Sequence, residues 1–317
     1  MKSSLSSFLH KSLWALALLG LTATAAEPKK LLVVTVTTGF RHSSIPTAEK
    51  ILEKLAKESG DFTVDFVRQP EEKVRRPSNP KSDADEATRA KFKEDMVKFE
   101  AAQVDFNARV KEALTKLSAE NLKKYDGLIF ANSTGDLPVP DLQAIVDWVK
   151  DGHALIGMHS AADTFHLNDP NRKGASPFLS MLGCEFLSHG AQASVDCINE
   201  DKKHPASSHL PQTWTVYDEI YIMKNFDRPK VHGLLSLDKE PNKKTPGDFP
   251  IAYGKDFGKG RVFYTSLGHR EDIWDDETPA NFKRQNSTEI ARAYQKHVLG
   301  GIKWALGLQE STAKKKN

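Results

Sequence analysis

Three histidines stand just past apolar, β-prone runs in distant parts of the chain. They are His42 in Gly39-Phe40-Arg41-His42, His159 in Gly157-Met158-His159-Ser160, and His269 in Leu267-Gly268-His269-Arg270-Glu271. Imidazole titrates near neutral pH and, when neutral, offers a lone pair to a metal, so it serves as acid–base group or as ligand. An apolar run ending in glycine and small polar residues reads as a buried strand feeding a strand-to-helix turn. In open α/β sheets the carboxyl ends of the strands frame the ligand crevice. His42, His159 and His269, with Asn132 after another such run, are therefore expected to share one polar site.

Two chemistries use these residue types. In one, His42, His159 and His269 hold a divalent ion, zinc foremost, which polarises a carbonyl or activates water. The spacing matches no compact zinc signature, so such a site would be assembled from separate strands. In the other, a histidine and a carboxylate act as general base and acid without a metal. The catalytic candidates are His159, His269, Glu219 and Glu271. The substrate-binding candidates are Arg41, His42, Asn132, Ser160, Asp163, His166 and Trp274, the last by stacking on a ring face. His189 is a secondary candidate. Of the adjacent Asp218 and Glu219, one could face the cleft while its neighbour faces solvent. His204, before Pro205, reads as a turn residue.

The elements that must position these groups follow in order. Residues 31–37 form a β-branched run and a central first strand, and Ser43 or Ser44 with Pro46 opens a helix bearing Ala48, Ile51, Leu52 and Leu55 on one face. Strands are expected at 62–67, 125–132 and 154–158, with a helix near 142–149 between the last two. This alternation indicates a doubly wound, flavodoxin-like, mostly parallel sheet. Residues 70–119 break the rhythm with a polar loop and one or two charged amphipathic helices carrying Phe92, Met96, Phe99, Val104, Phe106, Val110 and Leu114. Beyond Gly183 the pattern turns to short strands joined by turns, a β-rich C-terminal half closed by a helix over about 288–306.

The chain has 317 residues, 39% hydrophobic and 27% charged, with a net charge of +3. A balance this close to neutral gives no argument for nucleic acid as a partner. The first residues carry Lys2 and Lys11, an apolar core from Leu13 to Leu21, and Ala23-Thr24-Ala25 as a cleavage pattern. Residues 1–26 are thus expected to be a removed signal peptide, with a retained anchor as the other reading. After cleavage no run approaches the ~20 apolar residues of a membrane span. The mature chain is expected in the periplasm or outside the cell, as one domain over 27–308 with a basic tail at 309–317. Nothing in the pattern sets an oligomeric state. In an oxidising compartment Cys184 and Cys197 could pair across a hairpin, or remain two buried free thiols.

Several further motifs occur in one order: His204-Pro205, Asp218-Glu219-Ile220-Tyr221, Gly258-Lys259-Gly260-Arg261-Val262-Phe263-Tyr264 and Gly300-Gly301-Ile302-Lys303-Trp304-Ala305. With the three histidine motifs, they closely resemble the ThuA-like (trehalose utilisation) family from about Leu31 to Leu308. The resemblance implies a fold similar to the class I glutamine amidotransferases, which place a nucleophilic Cys at a strand-to-helix elbow and take a His-x-Glu pair from a late strand. Here the elbow carries His159, while His269-Arg270-Glu271 supplies a His-x-Glu. Without the thiol, glutaminase chemistry is excluded, and Ser160 sits one position past the elbow. The resemblance further implies a small-molecule carbohydrate partner, a trehalose-like disaccharide or its keto derivative, processed by hydrolysis, elimination or isomerisation. The alternatives are a non-catalytic carbohydrate-binding protein that retains the fold, and a protein that recruits partners through the 70–119 insertion.

Overall fold

The computed structural model describes residues 27–71, 75–166, 174–277 and 282–311. The expected signal peptide and the lysines of the expected basic tail lie outside the described residues.

β1 (Lys29–Val34) leads into α1 (Ile45–Ser59), and β2 (Phe62–Val67) follows. The 70–119 excursion contains α2 (Glu86–Leu114) and α3 (Ala119–Leu122). Next come β3 (Gly127–Ala131), α4 (Leu142–Lys150), β4 (Ala154–Met158) and, after a 3-10 turn at His159–Asp163, α5 (Pro177–Leu182). β5 (Glu185–His189), β6 (Ala193–Asn199), β7 (Thr213–Asp218), β8 (Tyr221–Lys224), β9 (His232–Lys239), β10 (Pro246–Phe257) and β11 (Gly260–Thr265) follow. α6 (Glu271–Trp274) and α7 (Thr288–Ala305) complete the order.

Nine strands form one sheet in the order β2-β1-β3-β4-β11-β10-β9-β6-β7. Neighbours from β2 to β11 run parallel. From β11 through β10, β9, β6 and β7 every pairing is antiparallel. The protein is thus a mixed α/β structure whose central sheet is parallel over its first five strands. β5 and β8 pair separately as a two-stranded antiparallel ribbon.

The period-two alternation of strand side chains divides the core. Leu31 and Val33 of β1 pack with Ile51 and Leu52 of α1 and Val298 and Ile302 of α7. Leu32 and Val34 pack with Val110 and Leu114 of α2, Ile145 and Val149 of α4, and Leu179 and Leu182 of α5. Helices therefore cover the two faces of β1. This separation also decides the cysteines. Cys184 lies in the second cluster and Cys197 in the first, and both are buried free thiols. Burial pushes the Cys184 thiol up to about 12.

The excursion is organised around a single 29-residue helix, about 43 Å long. Asp85 caps it through the Thr88 N–H at 2.7 Å. Only Phe106, Val110 and Leu114, at its C-terminal end, are buried. Val104, expected on the same apolar face, is 70% exposed, because residues two apart on a helix point to different sides.

Candidate functional site

The carboxyl ends of β1, β3, β4, β7 and β11 meet at one edge of the sheet, and each sends a polar side chain or loop there. Three backbones at this edge take left-handed conformations: Asn132 (φ 54), His159 (φ 45) and Gly268 (φ 128). Non-glycine residues hold such angles only where their surroundings compel them, and such positions cluster at functional sites.

The centre of the arrangement is the carbonyl of Gly268. It accepts hydrogen bonds from Ser44 Oγ at 3.1 Å, Asn132 Nδ2 at 2.8 Å and Trp274 Nε1 at 2.8 Å. One oxygen thereby ties the loops after β1, β3 and β11 together. A side chain at position 268 would meet the Tyr294 hydroxyl at 3.0 Å and the Trp274 ring at 3.2 Å, so glycine is required on two counts. Ser44 stands at the N-cap of α1 but makes no side-chain cap bond there, since its hydroxyl is spent on Gly268.

Asp218, fully buried, holds the same loop from the other side. Its carboxylate accepts the backbone N–H groups of Gly268 at 2.7 Å, His269 at 3.3 Å and Arg270 at 3.1 Å. Burial pushes its pKa up to about 6 despite those bonds. Its neighbour Glu219 turns into the site, so neither member of the pair faces solvent.

His42, His159, Glu219 and His269 each bring one potential ligand atom to this place, all within 4.8 Å of one another. His159 is fully buried, and its Nδ1 lies 2.9 Å from the carbonyl of Ser266. A carbonyl can only accept, so Nδ1 carries the proton and Nε2 presents its lone pair. That Nε2 lies 3.3 Å from His269 Nδ1 and 3.7 Å from Glu219 Oε1. His269 Nδ1 is also 3.3 Å from Glu219 Oε1. His42 uses Nδ1 toward Ser160 Oγ at 3.3 Å, which leaves its Nε2 for the group. The rings of His42, His159 and His269 meet edge to face, with centroids 4.9 to 5.2 Å apart.

The electrostatics divide the histidines. Burial first, and then the His269 charge, pushes His42 down to about 4. Burial drives His159 well below the ordinary range, with His42 and His269 adding to it. Burial acts on His269 in the same direction, but the hydrogen bond and charge of Glu219 outweigh it and raise its pKa. Two neutral imidazoles beside a carboxylate and a third, more basic imidazole can bind a cation or pass a proton. Three nitrogens and one oxygen form a donor set suited to a divalent transition metal.

The other expected residues are placed as follows. Ser160 is fully buried and faces His42. Asn132, also fully buried, donates its amide nitrogen to Ser44 Oγ and the Gly268 carbonyl and so ties loops together, while its Oδ1 has no hydrogen-bond partner among the described residues. Trp274 is a correction: both ring faces are buried, Tyr294 packs edge to face on it, and no surface is left for stacking. Arg41 points to the Thr35 carbonyl at 3.0 Å and Gln69 Oε1 at 3.1 Å, on the β2 side of its loop. Glu271 opens α6 outside the group of four, and Glu219 supplies the carboxylate in its stead. His166 lies outside it too, between Asp163 Oδ1 at 2.6 Å and Glu185 Oε1 at 2.8 Å. His189 reaches the back of Glu219, with Nδ1 3.1 Å from Oε2. His204 does form a turn, its Nδ1 accepting the Ala206 N–H at 3.1 Å.

Sequence reasoning missed Glu185, Ser266 and Tyr221, whose ring lies against His159 with centroids 4.2 Å apart. The polar Ser266 directly after a strand was the one available signal. Glu185 and Tyr221 belong to the small ribbon, whose place over the site no local pattern announces.

These features define a class: an α/β protein with a largely parallel sheet and a buried histidine–carboxylate group at the strand ends. The family model for ThuA, trehalose utilisation, matches residues 30–305, and the chain belongs to that family. A ThuA-like protein from Parabacteroides merdae is similar in fold at 19% identity, with a TM-score of 0.57, covering 90% of this chain and 92% of that one. A ThuA-like protein from Bacteroides uniformis aligns at 19% identity and TM-score 0.54, over 90% of this chain and 95% of its own. The architecture is consistent with a class I glutamine amidotransferase-like fold, in which the elbow after β4 here carries His159. No curated protein matches the chain. Among the described residues no helix is long and apolar enough to cross a membrane.

Proposed function

We propose that this chain is an exported carbohydrate-processing enzyme acting on a disaccharide or keto-glycoside, with His42, His159, Glu219 and His269 as the ligands of a divalent ion. The observation that carries the reading is the convergence of four ligand atoms within 4.8 Å, with the His159 lone pair directed inward by the Ser266 carbonyl. When bound, zinc or a similar ion would polarise a sugar carbonyl or lower the pKa of a water. The protein's own part is to fix the ligand tautomers. Ser266 sets His159, Ser160 contacts His42, and Asp218 holds the backbone of His269.

Family membership supports the carbohydrate class. The strand order supports reading the parallel half as flavodoxin-like and doubly wound, in one domain over 27–308. Export rests on the character of residues 1–26, with the periplasm or cell exterior as destination.

The test is elemental analysis of the untagged mature protein beside His159→Ala and His269→Ala variants, followed by turnover of glycosides and keto-glycosides. A near-stoichiometric divalent metal, lost in both variants together with turnover, is expected. Folded wild-type protein that takes up no divalent metal sinks the reading. Sugar binding without turnover would mark a carbohydrate-binding protein.

A further inference from the structure

If the group of four is occupied as ligands, a proton must be moved by a residue outside it. Asp163 ends the 3-10 turn that His159 begins. The backbone carbonyl of Asp163 accepts the Gly135 N–H at 2.9 Å, which pins the turn to the loop after β3. Phe165, a bulky buried residue, is held at φ 58, an angle that only strong surrounding constraints maintain. The strained turn brings His166 back onto Asp163.

The result is a chain of charges. His166 Nε2 lies 2.6 Å from Asp163 Oδ1, and His166 Nδ1 lies 2.8 Å from Glu185 Oε1. Glu185 is fully buried and is itself met by Asn225 Nδ2 at 2.7 Å and Lys224 Nζ at 3.2 Å. The ring between two carboxylates is more basic than an ordinary histidine, Asp163 being the largest cause. Asp163 keeps 29% of its side chain exposed. Its Oδ2 has no hydrogen-bond partner among the described residues. Asp163 closes the turn that carries His159 and Ser160, the latter 3.3 Å from His42 Nδ1, so it stands on the segment that feeds the group of four without belonging to it.

We propose that Asp163 is the catalytic base that takes the proton from the carbon beside a sugar carbonyl, with His166 and Glu185 as its positioning residues. This rests on the reading of the site given above. The C–H bond breaks and its proton goes to the free oxygen of Asp163. Its electron pair forms a carbon–carbon double bond, and the carbonyl π pair passes to oxygen, whose charge faces the histidines. Return of the proton to the former carbonyl carbon, while the hydroxyl proton of the α carbon passes to the enolate oxygen, moves the carbonyl by one carbon and isomerises the sugar. Loss of a leaving group from the β carbon eliminates it instead. Neither route needs an oxidant or a reductant.

The experiment incubates metal-loaded protein with a keto-glycoside in D2O. Deuterium beside the carbonyl is read by proton NMR, with metal content and sugar affinity measured on the same samples. The wild type is expected to exchange. Asp163→Asn should slow exchange by at least ~100-fold, with metal content unchanged and sugar affinity preserved; Asp163→Ser is the second variant should the first not fold. His166→Gln and Glu185→Gln should lower kcat about 10-fold at unchanged KM. Wild-type exchange rates in a metal-loaded Asp163 variant would overturn the proposal. So would loss of exchange in His189→Asn alone, or no exchange by metal-loaded wild type. Failure of the metal reading appears separately, as wild-type protein that binds no ion.

Discussion

Two groups of histidines sit at opposite edges of the same sheet. At the carboxyl ends of the parallel strands are His42, His159 and His269 with Glu219. At the other edge, where β6 ends and β9 begins, are His204 and His232 with Asp201. The second group borders a cavity of about 900 Å³. Its imidazoles nevertheless do not converge. His232 Nε2 is spent on Asp201 at 2.7 Å, and His204 Nδ1 accepts the Ala206 N–H. At the first edge Ser266 and Ser160 each engage one nitrogen of His159 and His42, and His269 Nδ1 meets His159 Nε2 at 3.3 Å. A cavity lined by histidines is therefore a poor guide to chemistry on its own. What distinguishes the edges is whether the ligand atoms of separate side chains converge, and among the described residues only at the first do four lie within 4.8 Å of one another.

The strongest way to break this contrast is to exchange roles by mutation. His159→Ala should abolish divalent-metal binding, while His232→Ala should leave the metal titration unchanged; equal losses would erase the distinction. Next in size is acid sensitivity, which the buried histidines of both edges share and which His204 lets one test away from the group of four. Burial pushes His204 down to about 4 from an ordinary 6.5. Between those values the unfolded chain binds more protons than the folded one, so unfolding free energy rises with pH. Stability is full above about pH 6.5 and falls as pH drops toward 4, by about 3 kcal/mol. His204→Asn should flatten that slope in urea titrations at pH 4.5 and 7.

Gly268→Ala comes third. Strain at a positive φ and the contacts to Tyr294 and Trp274 should cost about 2 kcal/mol and weaken metal binding with it. Trp274→Phe removes one donor to the Gly268 carbonyl and should cost about 1 kcal/mol in thermal unfolding, with metal content retained. Smallest is Glu271→Gln, for which unchanged metal binding is expected; a clear loss would return Glu271 to the site and displace Glu219.

Much of this was legible before the fold was known. His42, His159 and His269 each follow an apolar strand, and such ends must meet at one edge of a parallel sheet. The carboxylate was harder. Asp218 and Glu219 are adjacent, and only the three backbone N–H groups of residues 268–270 decide which one turns inward. Glu271 looked apt because the resemblance implied a His-x-Glu pair delivered by a late strand. Here β11 has already ended and α6 begins at Glu271 itself. Trp274 misled for another reason: a polar tip on a buried side chain meets backbone as readily as substrate, and its partner, the Gly268 carbonyl, lies in a loop whose course the sequence does not announce. The cysteines are 13 positions apart, yet the sheet stands between them.

The Gly268 carbonyl has a temporal consequence. Its three donors come from residues 44, 132 and 274, positions that span most of the chain. Contacts between such distant segments close late, because loop entropy must be overcome before they form. An intermediate with β1 through β4 in place would hold His42 and His159 but lack the oxygen that locks their loops. Metal affinity should thus emerge as one of the last events of refolding, trailing the recovery of helical signal, and a bound ion would report complete rather than partial assembly.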